Sequence, residues 1–163
     1  MIIGLISDTH IPTRANAIPN KVLEIFKETD LIIHAGDLVQ FEIIKELEKL
    51  AKVVAVFGNM DSNDVRKKLP EINSVNVEGQ KIGIIHNPGA LWGMKEMKRI
   101  AKENGFNILV FGHTHRNFMK KDEDILFINP GSPTNPLPPF VTKPTFGLLK
   151  VAKDDIEPRI IEI

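Results

Sequence analysis

The most informative segment of the chain is Phe111-Gly112-His113-Thr114-His115-Arg116. The apolar run directly before Gly112 is typical of a buried strand, and the glycine ends it. Two histidines then follow at positions i and i+2. Because alternate side chains of an extended segment point to the same side, we expect both imidazole rings to reach one small volume. Imidazole nitrogen is a common metal ligand, so the segment indicates a metal site, although a polar turn would show the same local pattern.

Four more apolar segments end in residues of the same kind. Three of them, at residues 2–6, 31–35 and 53–57, alternate with amphipathic helical patterns, and the fourth spans residues 81–86. The polar residues that follow these segments are Asp8 with His10, Asp37, Asn59 and His86. Strand–helix alternation predicts parallel strands, and binding sites in such sheets form at the carboxyl ends of the strands. Five strand ends with metal-type ligands in one small chain are hard to explain by chance.

After residue 69 the pattern changes from crossovers to hairpins. Alternating apolar residues around short polar turns predict hairpins at residues 74–86, 118–128 and 145–163. A helix is predicted from Met94, and Gly105 follows its end, as helix termination prefers. The segment 129–144 holds six of the eleven prolines and is predicted to be an ordered loop, with a lid as an alternative. Trp92 is predicted to lie in the core or in a pocket wall.

Composition limits the classes of protein that this chain can represent. A length of 163 residues with 42% hydrophobic residues is typical of one globular domain, which we expect to span residues 1–163. The 21 basic and 21 acidic residues cancel, so no strong signal for nucleic acid or for a membrane surface appears. No apolar run is long enough to span a membrane, and no signal peptide is evident, so we expect a cytoplasmic protein.

The residue types at the five strand ends restrict the chemistry. Without cysteine, any metal must be held by carboxylate, imidazole, amide and water. This mixture of nitrogen and oxygen ligands fits Mn, Fe, Zn, Co or Ni better than Ca or Mg. Two divalent ions about 3.5–4 Å apart can bind a phosphate ester and activate a water between them. Such a centre needs two ligand clusters and one carboxylate that belongs to both.

In chain order, the five motifs resemble those of the calcineurin-like metallophosphoesterases. They are Asp8-Thr9-His10, Gly36-Asp37, Gly58-Asn59-Met60-Asp61, His86-Asn87 and Gly112-His113-Thr114-His115. The short chain, with Asn129-Pro130-Gly131-Ser132 near its end, is most similar to the small prokaryotic phosphodiesterases of that superfamily. The resemblance implies an α/β (α+β) fold of four layers, αββα, in which two mixed β-sheets lie face to face with helices outside. It also implies a phosphodiesterase in which a hydroxide that bridges two metal ions attacks phosphorus.

The resemblance assigns ligands to two metal ions. The first set is Asp8, His10, Asp37 and His115, and the second set is Asp37, Asn59, His86 and His113. Asp37 would bridge the two ions. We expect catalysis to depend on Asp37, Asn59 and His113. The ions themselves are expected to be transition metals, with manganese and nickel among the candidates.

Two motifs depart from the pattern of the family. Many members carry a histidine after the asparagine of the third motif, where it protonates the leaving group or stabilises the transition state. Here that residue is Met60, which can do neither. We therefore expect modest turnover and a preference for diesters with good leaving groups, such as bis(p-nitrophenyl) phosphate. In the fourth motif, Asn87-Pro88 stands where a glycine commonly follows the histidine, and this changes the wall of the pocket.

Three further residues are candidates for supporting roles. Asp61 is expected to accept hydrogen bonds and orient a metal ligand. His34 lies inside a predicted strand and is interpreted as a hydrogen-bonded core histidine or a residue that holds a ligand. Arg116 is interpreted either as a phosphate-binding residue or as a surface charge.

Two other kinds of function remain open from the sequence. Relatives with this fold serve as protein-interaction scaffolds with degraded metal sites, but all the ligand positions are intact here. A phosphomonoesterase or a nuclease is the other alternative, although the balanced charge predicts no basic groove for a polymer. We expect a small phosphodiester as the substrate and leave assembly into a homo-oligomer open.

Overall fold

A computed structural model of the chain describes residues 1–89, 93–136, 142–153 and 155–163. Trp92 lies outside the described residues, as do residues 137–141 of the proline-rich segment and Asp154 in the last predicted turn.

Strands and helices follow the predicted order, with small shifts at their ends. They are β1 (Ile2–Ile6), α1 (Asn20–Phe26), β2 (Leu31–His34), α2 (Glu42–Glu48), β3 (Lys52–Ala55), α3 (Asn63–Lys68), β4 (Ile72–Val77), β5 (Gln80–Ile85), α4 (Met94–Asn104), β6 (Ile108–Phe111), β7 (Asn117–Asp122), β8 (Ile125–Pro130), β9 (Thr145–Ala152) and β10 (Asp155–Glu162). Gly105 caps α4 with a left-handed backbone, φ 66°, as its position predicted.

The first sheet has the strand order β10-β9-β1-β2-β3. Strands β1, β2 and β3 are parallel, and the helices between them provide the crossovers that strand–helix alternation predicted. Strands β9 and β10 form an antiparallel hairpin that extends the sheet beside β1. The sheet is therefore mixed.

The second sheet has the strand order β4-β5-β6-β8-β7. Its three inner strands are parallel, whereas β4 and β7 pair antiparallel at the two edges. Both predicted hairpins of this half, β4–β5 and β7–β8, are confirmed. Strands β5 and β6 thus bring their carboxyl ends to the same edge of the sheet.

Three apolar clusters hold the layers together. The cluster between the sheets contains Leu5 of β1, Ile33 of β2, Ile84 of β5 and Val110 of β6, among others. A second cluster packs α1, α2 and α3 on the outer face of the first sheet, where Phe26 is fully buried. The third cluster packs α4 on the outer face of the second sheet. The layers are therefore αββα, and the predicted fold class is confirmed.

No helix in the described ranges is long and apolar enough to span a membrane. Cytoplasmic location stays a prediction.

Candidate metal centre

The polar residues at the five strand ends meet where the two sheets adjoin. The backbone N–H of His113, after β6, donates to the carboxylate of Asp8, after β1, at 3.1 Å from Oδ2. His86, after β5, donates from Nδ1 to the carbonyl oxygen of Ala35, after β2, at 2.8 Å. These hydrogen bonds join strand ends from different sheets, so the loops of both sheets build one site.

Four side chains form a compact buried group. Ligand atoms from Asp8, His10, Asp37 and His115 all lie within 4.8 Å of one another. His10 Nε2 is 3.1 Å from His115 Nε2 and 3.6 Å from Asp37 Oδ2. His115 Nε2 is 3.3 Å from Asp8 Oδ1.

The spacing and chemistry of this group fit a divalent metal ion. Ligand atoms that each lie about 2.0–2.2 Å from one ion are about 3–4 Å from each other. Two buried carboxylates are also unfavourable without compensating positive charge. In addition, His10 Nδ1 is buried and has no hydrogen-bond partner among the described residues. A cation between these four side chains would supply the missing charge.

A second set of ligand-type atoms adjoins the first. Asn59 Oδ1 lies 3.2 Å from His86 Nε2 and 2.9 Å from His113 Nδ1. His86 Nε2 is also 3.3 Å from Asp37 Oδ2. Asp37 Oδ2 therefore faces His10 on one side and His86 on the other, which places this carboxylate between the two sets.

Hydrogen bonds outside the centre set the orientation of two imidazole rings. His86 donates from Nδ1 to Ala35, and His115 donates from Nδ1 to the carbonyl oxygen of Asn135 at 2.6 Å. Because Nδ1 donates the hydrogen bond in both rings, Nε2 is the nitrogen that faces the other ligand atoms and would bind a metal through its lone pair. This is the arrangement that metal-binding histidines require.

Burial shifts the pKa values of ligand-type side chains in both sets. Burial raises the pKa of Asp8 to about 6, against the opposing effect of the neighbouring histidines. Burial lowers the pKa of His10 to about 4, so this imidazole is neutral at pH 7. Burial likewise lowers the pKa of His113. A neutral imidazole is the form that binds a metal.

Asp37 and His86 favour each other's charged form in the metal-free protein. Burial favours the neutral form of both groups. Nevertheless, the hydrogen bond and charge of His86 and the N–H of Met60 hold the pKa of Asp37 below its usual value. The carboxylates of Asp37 and Asp8 in turn raise the pKa of His86. A proton on His86 would supply positive charge at the place where a bound cation would bring it.

The backbone at the centre differs from the expected extended conformation. His113 and His115 have left-handed backbone, with φ of 71° and 56°, so the expected extended conformation of this segment is wrong, although both rings reach the candidate centre. The ring of His113 reaches Asn59, whereas the ring of His115 reaches Asp8 and His10. Left-handed φ also occurs at Asp8, His10 and Asp37. Backbone of this kind at non-glycine residues is strained and is concentrated at functional sites.

Asp61 fixes the loops that carry Asp37 and Asn59. Its carboxylate accepts hydrogen bonds from the backbone N–H groups of Asp37 at 3.0 Å, Val39 at 2.5 Å and Gly58 at 2.6 Å. The carboxylate therefore ties the loop after β2 to the loop after β3, next to the predicted ligands.

His34 and Arg116 occupy different surroundings. His34 is fully buried, accepts from Gly36 N–H on Nδ1 and contacts Thr9 Oγ1 through Nε2 at 3.2 Å. It thus connects the loops after β1 and β2 beneath the centre. Arg116 lines a cavity of about 530 Å³ with an apolar floor that includes Phe111 and Phe118. The part played by Arg116 in binding phosphate stays a prediction.

Several supporting residues lie outside the residues that the sequence singled out as candidates. Ser7 donates to Asp8 Oδ2 at 2.7 Å, and Ser132 donates to the carbonyl oxygen of Asp8 at 2.7 Å. Asn129 donates to the carbonyl oxygen of Gly112 at 2.9 Å. Asn129 lies near the end of the apolar strand β8 and Ser132 follows it, within the segment Asn129-Pro130-Gly131-Ser132 that contributed to the resemblance.

A small cleft opens beside the second set of ligand atoms. It has a volume of about 230 Å³, and its walls include Asn59, His86, His113 and Arg66. Met60, which stands where the resemblance would place a histidine, has a half-exposed side chain, 50% of its surface being accessible. Its backbone N–H donates to Asp37 Oδ1 at 2.7 Å. Arg66 was not predicted, because its place in the cleft depends on contacts between α3 and the loop after β3.

Fold and site together define a two-sheet domain with a group of aspartates and histidines that could hold metal. The sequence pattern of the calcineurin-like phosphoesterase superfamily domain matches residues 1–154. The chain therefore belongs to the calcineurin-like phosphoesterase superfamily, as its five motifs indicated.

Individual relatives resemble the chain along its whole length. A probable metallophosphoesterase of Methanothermobacter thermautotrophicus is 39% identical, over 99% of this chain and 92% of the relative. A phosphodiesterase of Methanocaldococcus jannaschii is 33% identical, over 99% of this chain and all of the relative. Among solved structures, wild-type Vps29 of Entamoeba histolytica in complex with zinc superposes with a TM-score of 0.81 at 26% identity, over 99% of both chains.

Proposed function

We propose that this protein is a two-metal phosphodiesterase. Asp8, His10, Asp37 and His115 would hold one ion, and Asp37, Asn59, His86 and His113 would hold the other. When bound, two such ions supply a hydroxide nucleophile, polarise the phosphoryl oxygens and neutralise charge in the transition state. Membership of the phosphoesterase superfamily and the likeness to a named phosphodiesterase support the reaction class.

The observation that carries the proposal is the position of Asp37. One oxygen of its carboxylate lies 3.6 Å from His10 and 3.3 Å from His86, which belong to different ligand sets. Its other oxygen accepts a hydrogen bond from the backbone N–H of Met60. This hydrogen bond fixes the rotation of the carboxylate, so that Oδ2 is available to both metal positions.

The chain's own residues would prepare the centre before substrate binds. Burial keeps His10 neutral, and hydrogen bonds from Nδ1 orient His86 and His115. Asp61 holds the two loops that carry Asp37 and Asn59. Preorganised groups of this kind reduce the rearrangement needed when the reaction begins.

Met60 determines the substrates that we expect. A half-exposed thioether beside the cleft cannot give a proton to a leaving group. Esters with acidic leaving groups need no such proton, so activated diesters should be hydrolysed most readily. The small cleft, which includes His86 and His113, has room for the phosphate group of such an ester.

The deciding experiment measures the hydrolysis of two nitrophenyl phosphate esters. The protein is first stripped of metal with a chelator and then titrated with Mn, Ni, Co, Zn or Mg. We expect metal to restore cleavage of bis(p-nitrophenyl) phosphate more strongly than cleavage of p-nitrophenyl phosphate. Preference for the monoester would show a phosphatase and would contradict the argument from Met60. High activity on DNA, with little on small diesters, would indicate a nuclease.

An Asp37→Asn variant tests the bridging role directly. We expect the loss of hydrolysis together with retention of the circular dichroism spectrum and of a cooperative thermal transition. Asp64→Asn, an exposed aspartate paired with Lys68 on α3, is the control and should keep full activity. Wild-type turnover by Asp37→Asn would overturn the ligand assignment.

A protein-interaction scaffold is the second candidate. The likeness to Vps29, a vacuolar sorting protein whose structure was solved with zinc, supports it. The two candidates differ in one measurement, because a scaffold would bind metal without cleaving either nitrophenyl ester. The intact ligand positions favour the enzyme.

We further propose that residues 1–163 form a single domain. The apolar cluster between the sheets, which joins β1 and β9 of one sheet to β5 and β8 of the other, supports this proposal.

A further inference from the structure

Arg66 reaches from α3 to the loop that carries a predicted metal ligand. Its Nη2 donates to the carbonyl oxygen of Asn59 at 2.7 Å, and its Nε donates to the carbonyl oxygen of Asp61 at 3.0 Å. Both acceptors belong to the third motif, on either side of Met60. One guanidinium therefore spans the turn that directs Asn59 into the centre.

An aromatic ring fixes the guanidinium from another side. The centre of the guanidinium lies 5.1 Å from the centroid of Phe57, which follows β3. A planar guanidinium can stack on a ring and donate two hydrogen bonds along a fork at the same time, whereas a lysine ammonium cannot. The geometry thus specifies arginine rather than positive charge alone.

The same guanidinium lies beside the second set of ligand atoms. Arg66 shares the wall of the 230 Å³ cleft with Asn59, His86 and His113. Among the described residues in that wall, it is the one with a permanent positive charge. A residue at this position lies beside the second set of ligand atoms and outside the buried group of Asp8 and His10.

The third-motif loop needs support on two sides. Asp61 anchors the loop from the interior through the N–H groups of Asp37 and Gly58. The outer side contains the exposed side chain of Met60, which does not fix a turn. Arg66 holds the carbonyl groups on this outer side, and thereby the positions of Asn59 Oδ1 and of the Met60 N–H that contacts Asp37.

We propose that Arg66 is a positioning residue for the second metal ion. By holding the carbonyl oxygens of Asn59 and Asp61, it keeps Asn59 Oδ1 directed at the metal and keeps the bridging carboxylate of Asp37 in its rotation. The inference rests on the proposed two-metal centre and extends it to a residue outside the five motifs. Partners that orient metal ligands typically change metal affinity or activity about 10–100-fold when removed.

Two variants distinguish the effect of the forked N–H donors of the guanidinium from the effect of its positive charge. Arg66→Met keeps an unbranched apolar side chain and removes the donors and the charge, whereas Arg66→Lys keeps the charge and removes the fork. Arg99→Met is the matched control, because Arg99 is an exposed arginine on α4 that donates hydrogen bonds to Glu96 and Glu103 of its own helix. Each variant is titrated with Mn²⁺ by calorimetry, and its metal-free thermal transition is recorded.

We expect both Arg66 variants to bind the second Mn²⁺ about tenfold more weakly or worse, with the first Mn²⁺ bound as in the wild type. With bis(p-nitrophenyl) phosphate as substrate at fixed Mn²⁺, kcat should fall more than KM rises. Arg99→Met should match the wild type in every measurement. A merely structural role would instead lower the metal-free melting temperature and leave the two affinities unchanged.

Several results would overturn the proposal. If Arg66→Met bound both ions as tightly as the wild type does, the proposed positioning role of Arg66 would be refuted. If Arg66→Lys behaved as the wild type, charge rather than the fork would be responsible. Should Arg66→Met fail to fold, Arg66→Lys alone decides between these outcomes.

The proposed function fails in a different way. A wild-type protein that binds two Mn²⁺ ions but cleaves neither nitrophenyl ester would refute the enzyme, and the titrations would still test Arg66. A wild-type protein that binds one ion only would refute the two-metal centre and the role of Arg66 with it.

Discussion

At the scale of single residues, the candidate centre depends on buried carboxylates that accept hydrogen bonds from the backbone. Asp61 is the clearest case, because its side chain is buried and accepts three backbone N–H groups from two loops. Such a residue holds the loops that carry Asp37 and Asn59, and it would act on the chemistry without being a ligand. Its carboxylate links the loop after β2 to the loop after β3.

Asp61→Ala should therefore lower both stability and metal affinity. Removing the acceptor leaves buried N–H groups unpaired, and each hydrogen bond to a charged group contributes about 1.5–3 kcal/mol. We expect the free energy of unfolding in urea to fall by at least about 2 kcal/mol. Asp64→Ala, at an exposed position on the neighbouring helix, should change it by less than about 0.5 kcal/mol. Equal effects of the two substitutions would show that the Asp61 network is unimportant.

Protonation of the centre should make metal binding depend on pH. In the metal-free protein the pKa of Asp8 is raised to about 6 and that of His86 is raised above its usual value. A metal ion binds the deprotonated forms, so it must displace protons as the pH falls through these values. We expect Mn²⁺ affinity to decrease from pH 7.5 to pH 5, by about tenfold per pH unit for each proton displaced.

Calorimetry in buffers of different ionisation enthalpy measures the protons released directly. Metal binding that is equally tight at pH 5 and pH 7.5, with no proton release, would contradict these pKa shifts.

At the scale of elements, the site exists because parallel strands present their carboxyl ends together. Strands β1, β2 and β3 do so in one sheet, and β5 and β6 do so in the other. Each strand must keep its register for its terminal loop to reach the centre. The packing of helices against the sheets therefore affects the metal site at a distance.

Gly4→Ala tests this dependence in β1, which leads to Asp8 and His10. A Cβ at Gly4 would lie 2.7 Å from a ring carbon of Phe26 on α1, and Phe26 is fully buried. Overpacking of this kind costs about 1–3 kcal/mol, which denaturant unfolding would report. Ile2→Val on the same strand, at a side chain that is 40% exposed, should have little effect. If Gly4→Ala left the free energy of unfolding unchanged, α1 could shift away from the sheet without loss of stability.

At the scale of the whole molecule, metal and fold should stabilise each other. Binding to the folded state alone adds about 2.7 kcal/mol when free metal is at 100 times its dissociation constant. For a chain of this size, that corresponds to a rise of about 5–10 °C in melting temperature. We expect one cooperative calorimetric transition with and without Mn²⁺, and no rise for Asp37→Asn. Two separate transitions would contradict the single-domain proposal.

Local patterns in the sequence were sufficient for the elements and for most of the centre. Apolar runs predicted β1, β2, β3 and β6, the last three of them ended by glycine, and strand–helix alternation predicted that the first three are parallel. These properties depend on periodicity and on residues that are neighbours in the chain. The polar residues after the strands could be read in the same way, because the carboxyl ends of parallel strands must lie at one edge.

Only the tertiary structure decided which of those residues meet. His113 and His115 are two positions apart, yet left-handed backbone sends one ring to Asn59 and the other to Asp8 and His10. The contact of Arg66 with the carbonyl of Asn59 likewise depends on how α3 packs beside the loop after β3. Such contacts arise from steric fit and hydrogen bonding between segments that periodicity describes separately. The sequence by itself determined the strands, their order of alternation and the set of ligand-type side chains, whereas packing of the two sheets determined how that set is divided around Asp37.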